Sequence, residues 1–413
     1  MQQNLFAETK YKRLKPFNEH LMEFTEYLSP VDFNSLVTKG RLRSRLGHVI
    51  DVYTPGRPFP SLENIKIAIV GVPEVRGTVN NKGAINSPNA VRTFLYDLFP
   101  HNRKLKVADI GDLIPGNAVA DTYHAVGSLV SELLSLGIIP LLIGGSQDLT
   151  FGTYLGYERL GQTITLASID RIFDLGESEH EIDSNSWLSS LIIRQPNYLF
   201  NYTNIGYQTY LVDQEAIKLM KQMFFDVYRL GQFSVNIEEA EPLIRNADTI
   251  SVDVSAVRAS DAPGCADSTP NGFYGEQMCQ LMWYAGSSDK VSSIGFYEVN
   301  PDLDPRGQTA HLTAQMIWYF IDGVLNRLNE MPIINKPDET HLRYFVKIEG
   351  QDEEIVFYKS TKTDRWWMQV ACPPDLQTKY SRHVIVPCSY SDYKAATEND
   401  LPDRWWQVYQ KIM

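Results

Sequence analysis

Two stretches of the sequence decide the fold: TITLASIDRIFD at residues 163–174 and TISVDVSAVR at residues 249–258. Each begins as a short apolar run rich in β-branched residues and then reaches acidic side chains. Such runs are typical of strands that are buried on both faces. Six further runs have the same character, at residues 65–72, 105–110, 138–143, 199–205, 224–229 and 291–297. The sequence therefore predicts eight buried strands.

Amphipathic stretches lie between these strands and predict helices, at residues 121–136, 213–223, 238–245, 274–285 and 309–328. Strands that alternate with helices favour an α/β fold with a mostly parallel sheet covered on both faces. We therefore predict a three-layer αβα architecture with eight strands. In open sheets of this class, ligands bind at the carboxyl ends of the strands.

The chain divides into three predicted segments: an N-terminal extension (1–64), the α/β domain (65–333) and a C-terminal β extension (334–413). The last segment begins at INKPDET (334–340) and contains four β-type runs, at 341–348, 353–360, 365–372 and 382–389.

Four of the seven tryptophans lie in the C-terminal extension, in two copies of Asp-Arg-Trp-Trp at residues 364–367 and 403–406. The favoured interpretation is that they pack the extension onto the α/β domain. The alternative is a partner-binding surface, because Trp and Arg are enriched at binding hot spots. That surface would consist of Arg365, Trp366, Trp367, Arg404, Trp405 and Trp406.

Composition excludes several classes of protein. The 413 residues are 43% hydrophobic and 21% charged, which is typical of a globular chain. The net charge of −12 disfavours nucleic acid as a partner, because an acidic surface repels phosphate. No apolar stretch could cross a bilayer of ~30 Å, so we predict no membrane insertion. No secretory signal is visible, and the four scattered cysteines favour a reduced, cytoplasmic setting.

Polar clusters follow four of the predicted strands. The first is Gly-Gly-Ser-Gln-Asp at residues 144–148. The others place Asp170, Asp174, Asp253 and Glu298 at strand ends, where we expect them to meet on one rim. Converging carboxylates repel one another unless a cation or a proton lies between them.

The order and spacing of these clusters resemble the ureohydrolase superfamily (arginase, agmatinase and formimidoylglutamase) over residues 65–330. Further similar segments are GVP (71–73), GAINSP (83–88), DIGD (109–112), and the stretch from PG (263–264) to GE (275–276). The resemblance implies an arginase-like fold. It also implies a homo-oligomer, because family members usually form trimers or hexamers.

Members of this superfamily hold two manganese ions with two histidines and four aspartates, in the patterns G-G-D-H, D-A-H-x-D and S-x-D-x-D-x-x-D-P. This sequence departs from them at the two histidines, which become Gln147 and Ile172, and at the last aspartate ligand, which becomes Ser255. Arg258 stands where the family has a further acidic residue.

Four acidic residues keep the family's residue type. Asp170, Asp174 and Asp253 match metal ligands, and Glu298 matches the glutamate that faces a guanidinium-like group. If any metal binds, the resemblance implies that these three aspartates hold it.

These departures bear directly on the family's reaction, which needs a hydroxide activated by two cations. Isoleucine has no lone pair, and a serine hydroxyl is a weak ligand for a hard dication. We therefore expect no paired-metal centre and no cofactor. One alternative is a single Mn2+, Mg2+ or Ca2+ on the three aspartates with Gln147. The other, favoured here, is that Arg258 pairs with the carboxylates in place of a metal.

Two functional hypotheses follow. The favoured one is a pseudoenzyme that acts as a binding or assembly protein. Its motif losses are similar to those of arginase-like proteins encoded beside bacterial gliding and type IX secretion genes, which suggests such components as protein partners. The alternative is a divergent C–N hydrolase or sensor, in which Glu298 and the three aspartates bind a small cationic guanidino or formimino compound.

Overall fold

The computed structural model describes residues 26–37, 44–101, 106–176, 181–334, 339–350 and 354–413. Its strands are β1 (Leu28–Ser29), β2 (Asp51–Val52), β3 (Ile67–Val72), β4 (Val107–Leu113), β5 (Ile139–Gly144), β6 (Ile164–Ile169), β7 (Leu199–Tyr207), β8 (Asp226–Arg229), β9 (Thr249–Asp253), β10 (Ser293–Tyr297), β11 (His341–Val346), β12 (Ile355–Ser360), β13 (Trp366–Gln369) and β14 (Ile385–Cys388).

The α-helices in the same residues are α1 (Phe33–Leu36), α2 (Leu46–Val49), α3 (Ser87–Leu95), α4 (Val119–Ser135), α5 (Leu149–Arg159), α6 (Trp187–Ile193), α7 (Gln214–Gln222), α8 (Leu230–Phe233), α9 (Glu241–Arg245), α10 (Gly275–Ser287), α11 (Gln308–Leu325), α12 (Gln377–Tyr380), α13 (Tyr390–Thr397) and α14 (Asp403–Ile412). Short 3-10 segments occur at Lys82–Asn86, Ile237–Ala240, Val254–Ala256 and Pro301–Leu303.

The eight predicted strands are confirmed as β3 to β10. They form one parallel sheet in the order β4-β3-β5-β10-β9-β6-β7-β8. Two further strands, not predicted, extend the sheet to ten: β1 pairs antiparallel with β4, and β2 pairs parallel with it. Each has only two residues, which is too short to show a periodic pattern in the sequence.

The three-layer arrangement is also confirmed, and the alternation of side chains along each strand produces it. In β3, Ile67 and Ile69 pack into one core with α3, α10 and α11. Ala68 and Val70 point the other way, into a second core with α4, α5, α6 and α7. Both faces of the sheet are therefore covered, and its carboxyl edge is left for polar residues.

The strand register brings the predicted site positions to neighbouring places on that edge. Asp253, the last residue of β9, pairs with Tyr297 at the end of β10. Val252 pairs with Ile169 at the end of β6. Residues that directly follow β5, β6, β9 and β10 therefore lie side by side.

The C-terminal segment contains a separate antiparallel sheet in the order β11-β12-β13-β14. The short helices α12, α13 and α14 accompany this sheet. The two Asp-Arg-Trp-Trp copies adopt different structures. The first leads into β13, and the second opens α14.

The tryptophans of these copies mostly point inward. Trp366, Trp367 and Trp405 are 7%, 3% and 6% exposed. Trp367 lies beneath the guanidinium of Arg245 from the α/β domain, 4.4 Å from its ring centroid. The proposed partner surface is therefore wrong for these three side chains, whereas Trp406 remains 42% exposed.

The two arginines of the repeats are also engaged within the chain. Arg365 lies 3.1 Å from Glu241 and 3.2 Å from Glu330. Arg404 lies 2.7 Å from Asp392 and 3.5 Å from Glu239. They fasten the extension to the α/β domain and are not available as a free binding surface.

No helix among the described residues is long and apolar enough to cross a lipid bilayer. All four cysteines are free thiols.

Candidate functional site

Glu298, directly after β10, joins three loops at the carboxyl edge of the sheet. One carboxylate oxygen accepts a hydrogen bond from the backbone N–H of Gln147 (2.9 Å), and the other accepts one from the Asn81 side chain (2.8 Å). Glu298 is 6% exposed and has a φ of 67°, a strained value for a residue with a side chain. Its carboxylate serves as an internal clamp in this arrangement.

Gln147 is 1% exposed and turns its side chain inward. Its amide N–H groups donate to the hydroxyls of Ser168 and Ser251, both at 3.2 Å. The preceding loop is tight, because a Cβ on Gly145 would lie 2.1 Å from the Glu74 carbonyl oxygen. The amide thus links the loop after β5 to strands β6 and β9.

The three aspartates are buried, and each accepts a hydrogen bond from a nearby N–H group. Asp170 accepts a hydrogen bond from the Ile172 backbone N–H (3.0 Å), and Asp253 accepts one from the Ser255 backbone N–H (2.6 Å). Asp174, at a φ of 52°, accepts one from the indole N–H of Trp187 (2.8 Å). The structure places Asp170, Ile172, Asp174, Asp253 and Ser255 on one rim.

Burial raises the pKa of each of these carboxyl groups. For Asp174 and Asp253 the neighbouring charge of Asp170 adds to the effect of burial. Asp170 also has a raised pKa, and Asp174 is the partner that keeps the proton. The pKa of Glu298 rises to about 7. Protons partly relieve the repulsion that converging carboxylates create.

Arg258 does not neutralise these aspartates, and the prediction that it does so was wrong. Its Nε lies 2.9 Å from Asp261, and its guanidinium lies 3.8 Å from the centroid of the Tyr274 ring. Asp261 is only three residues from Arg258 in the chain. The Arg258 side chain therefore loses less conformational freedom by pairing with Asp261 than it would by reaching the rim aspartates.

Sequence reasoning missed Arg171, whose positive charge opposes the burial-driven rise in pKa at Asp170 and Asp253. It also pairs with Asp267 at 3.4 Å. A visible signal existed, because Arg171 stands at the alanine of the D-A-H-x-D pattern. Asn81, the second partner of Glu298, gave no such signal.

Residues 65–322, more than half of the chain, match the Arginase family. The chain belongs to the arginase family. Among curated arginase-family relatives, the formimidoylglutamase of Streptococcus gordonii is 24% identical over 302 residues, which cover 67% of this chain and 90% of that protein. The formimidoylglutamase of Bacillus subtilis is 22% identical over 280 residues, covering 62% of this chain and 86% of that protein.

Solved structures share the arginase-family fold. The formiminoglutamase of Trypanosoma cruzi with Mn2+2 superposes with a TM-score of 0.62 at 20% identity, covering 69% of this chain and 99% of that one. The agmatine ureohydrolase of Thermoplasma volcanium gives a TM-score of 0.57 at 20% identity, covering 70% of this chain and 96% of that one.

The expectation of a cofactor-free protein is overturned by this comparison, because the matched Trypanosoma cruzi formiminoglutamase carries manganese on the same fold. Manganese is therefore the ion against which this arginase-family site has to be tested.

The residues present do not fit a pair of such ions. Buried oxygens of Gln147, Asp170 and Ser255 lack hydrogen-bond partners and are oxygen donors, but Ile172 offers no donor atom. Among the described residues, no group of three or more His, Cys, Asp or Glu side chains is arranged to hold a metal ion.

Proposed function

We propose that this arginase-family protein has lost the hydrolase reaction and acts as a binding or assembly protein. The observation that carries the proposal is the replacement of three ligand positions by Gln147, Ile172 and Ser255. Without two histidines and one aspartate, the rim lacks the donors that would activate an attacking water between two cations.

The hydrogen bonds at the rim support the same conclusion. Glu298, expected to face a guanidinium-like group, already accepts hydrogen bonds on both carboxylate oxygens. Asp170, Asp174 and Asp253 are at most 8% exposed, so a cationic substrate would have to displace packed groups to reach them. The alternative, a hydrolase or sensor of guanidino or formimino compounds, is therefore less favoured. A hydrolysis assay would detect the hydrolase.

Assembly is the second half of the proposal. We propose a homo-oligomer or a complex with a protein partner in the cytoplasm, and bacterial gliding or type IX secretion components remain the partner class to test. Exposed apolar side chains on the C-terminal extension support an external contact there: Phe345 on edge strand β11 is 60% exposed, and Trp406 on α14 is 42% exposed.

The decisive experiment is a hydrolysis assay in the presence of excess Mn2+. We expect the parent chain to release no urea, formamide or ammonia from arginine, agmatine or formimidoylglutamate above the rate without protein. The formimidoylglutamase of Bacillus subtilis, assayed in parallel, provides the positive control. Turnover by the parent chain at about 1 per second or faster, within the ordinary range of enzymes, would overturn the proposal.

A matched variant tests the physical reason. The combination of Gln147→His, Ile172→His and Ser255→Asp restores the ligand types of the family. We expect this variant to bind more Mn2+ per chain than the parent in equilibrium dialysis, because imidazole and carboxylate are far better ligands than isoleucine and serine. Equal manganese content in the two folded proteins would show that these positions do not limit metal binding.

A further inference from the structure

A cavity separate from the rim lies at the carboxyl ends of β7 and β8 and has a volume of about 430 Å3. Its walls come from the segment after β7, the segment after β8, and the loop that follows β9. Its polar lining includes Gln208, Tyr210, Arg229, Arg258 and Tyr274. Open α/β sheets bind ligands at this edge.

The charge of this cavity is opposite to that of the chain. Its lining includes two arginines and no carboxylate, although the net charge of the protein is −12. Arg229 is exposed and has no carboxylate partner among the described residues. Arg258 lies over the Tyr274 ring, and its acidic partner Asp261 lines a neighbouring cavity. Both guanidinium groups line the cavity, but the Nε of Arg258 is paired with Asp261 at 2.9 Å, so Arg229 is the one without an acidic partner among the described residues.

The floor of the cavity is held in place before any ligand binds. Gln208 is 2% exposed, and its amide N–H groups donate to the Asn271 carbonyl (3.0 Å) and the Thr269 hydroxyl (3.3 Å). Its carbonyl oxygen accepts the Tyr210 hydroxyl. The Gln208 backbone N–H donates to the Arg171 carbonyl (2.9 Å), which ties the floor to the rim. A rigid floor lowers the entropy lost on binding.

We propose that this cavity binds a small metabolite through a carboxylate or phosphate group, with Arg229 and Arg258 as the cationic contacts. A guanidinium offers parallel N–H groups that match two oxygens of such an anion. The Tyr274 side chain, which is 47% exposed, lines the cavity and can contact the rest of the ligand. This site uses none of the residues at the rim, so it does not depend on whether hydrolysis has been lost.

Calorimetric titration with sodium phosphate and with sodium succinate, each at constant ionic strength, tests the proposal on the full chain. We expect saturable binding of at least one anion. The anion that binds more tightly distinguishes a phosphate from a carboxylate ligand. Arg229→Gln is expected to raise the dissociation constant of the anion at least about tenfold, because a hydrogen bond to a charged group is lost. Arg258→Gln should raise it similarly.

Arg306→Gln is the matched control, since Arg306 is exposed and does not line the cavity. It should bind the anion as the parent does. Melting temperatures without ligand verify that all variants are folded. Failure of both anions to saturate, or equal weakening by Arg229→Gln and Arg306→Gln, would overturn the proposal. Either result leaves the hydrolysis assay unaffected.

Discussion

Arg92→Leu is expected to lower the free energy of unfolding by about 3–5 kcal/mol, as is typical when one partner of a buried ion pair is removed. Arg92 is fully buried in α3. Its guanidinium makes two hydrogen bonds to Asp109 (2.8 and 2.9 Å) and also contacts Asp112. The Tyr96 hydroxyl completes the shell of Asp109 at 2.8 Å. Leucine would leave Asp109 charged and buried without a cation.

Urea unfolding followed by tryptophan fluorescence and by circular dichroism measures this loss. The control is Arg306→Leu, an exposed position, which should change stability by less than about 0.5 kcal/mol. The double variant Arg92→Leu with Asp109→Asn should recover part of the loss, because the unpaired charge is gone. A loss below about 1 kcal/mol in Arg92→Leu would show that this network does not hold α3 to β4.

The parallel sheet could be predicted because strands buried on both faces leave continuous apolar runs in the sequence. The same physics explains why β1 and β2 were missed. Each strand has only two residues, which is too few to show an apolar run or an alternating pattern in the sequence. The repeated Asp-Arg-Trp-Trp shows a further limit. One copy joins a strand and the other starts a helix, so tertiary context decides the structure of a four-residue motif.

The positions of site residues at strand ends could be predicted from the order of the strands. The hydrogen-bond and ion-pair partners of the side chains could not. Strand ends placed Asp170, Asp253 and Glu298 on one rim. The choice of Arg258 between the rim and Asp261 depends on local loop geometry, which the spacing of motifs does not show. The clamp between Asn81 and Glu298 joins residues 217 positions apart, and nothing near either residue indicates it.

Asp174→Asn is expected to become more stable than the parent chain as pH rises from about 4 to 8. Burial and the charges of Asp170 and Asp253 raise the pKa of Asp174 in the folded protein. The unfolded chain releases this proton near the usual pKa of about 4, whereas the folded chain retains it to higher pH. The folded state thus binds more protons, and the stability of the parent falls as pH rises through that window.

Asparagine removes this penalty at small structural cost. Its side-chain oxygen can still accept the Trp187 indole N–H, and asparagine tolerates the φ of 52° at this position. At pH 8 we expect the variant to be more stable than the parent, because it has no buried carboxyl group to ionise at this position. The exposed substitution Asp375→Asn should give no pH-dependent gain.

The quantity to compare is the difference in unfolding free energy between variant and parent. Another buried group, His383, changes the stability with pH in the opposite direction. Burial lowers the pKa of His383 to about 3, so this histidine makes the folded protein more stable as pH rises from about 3 to 6.5. That contribution is the same in both proteins and cancels in the difference. Urea unfolding at pH 4.5, 6 and 8 measures the difference in unfolding free energy between variant and parent. A chelating buffer keeps divalent ions out of the measurement. A variant that is less stable than the parent at pH 8 would mean that the Asp174 carboxylate stabilises the rim.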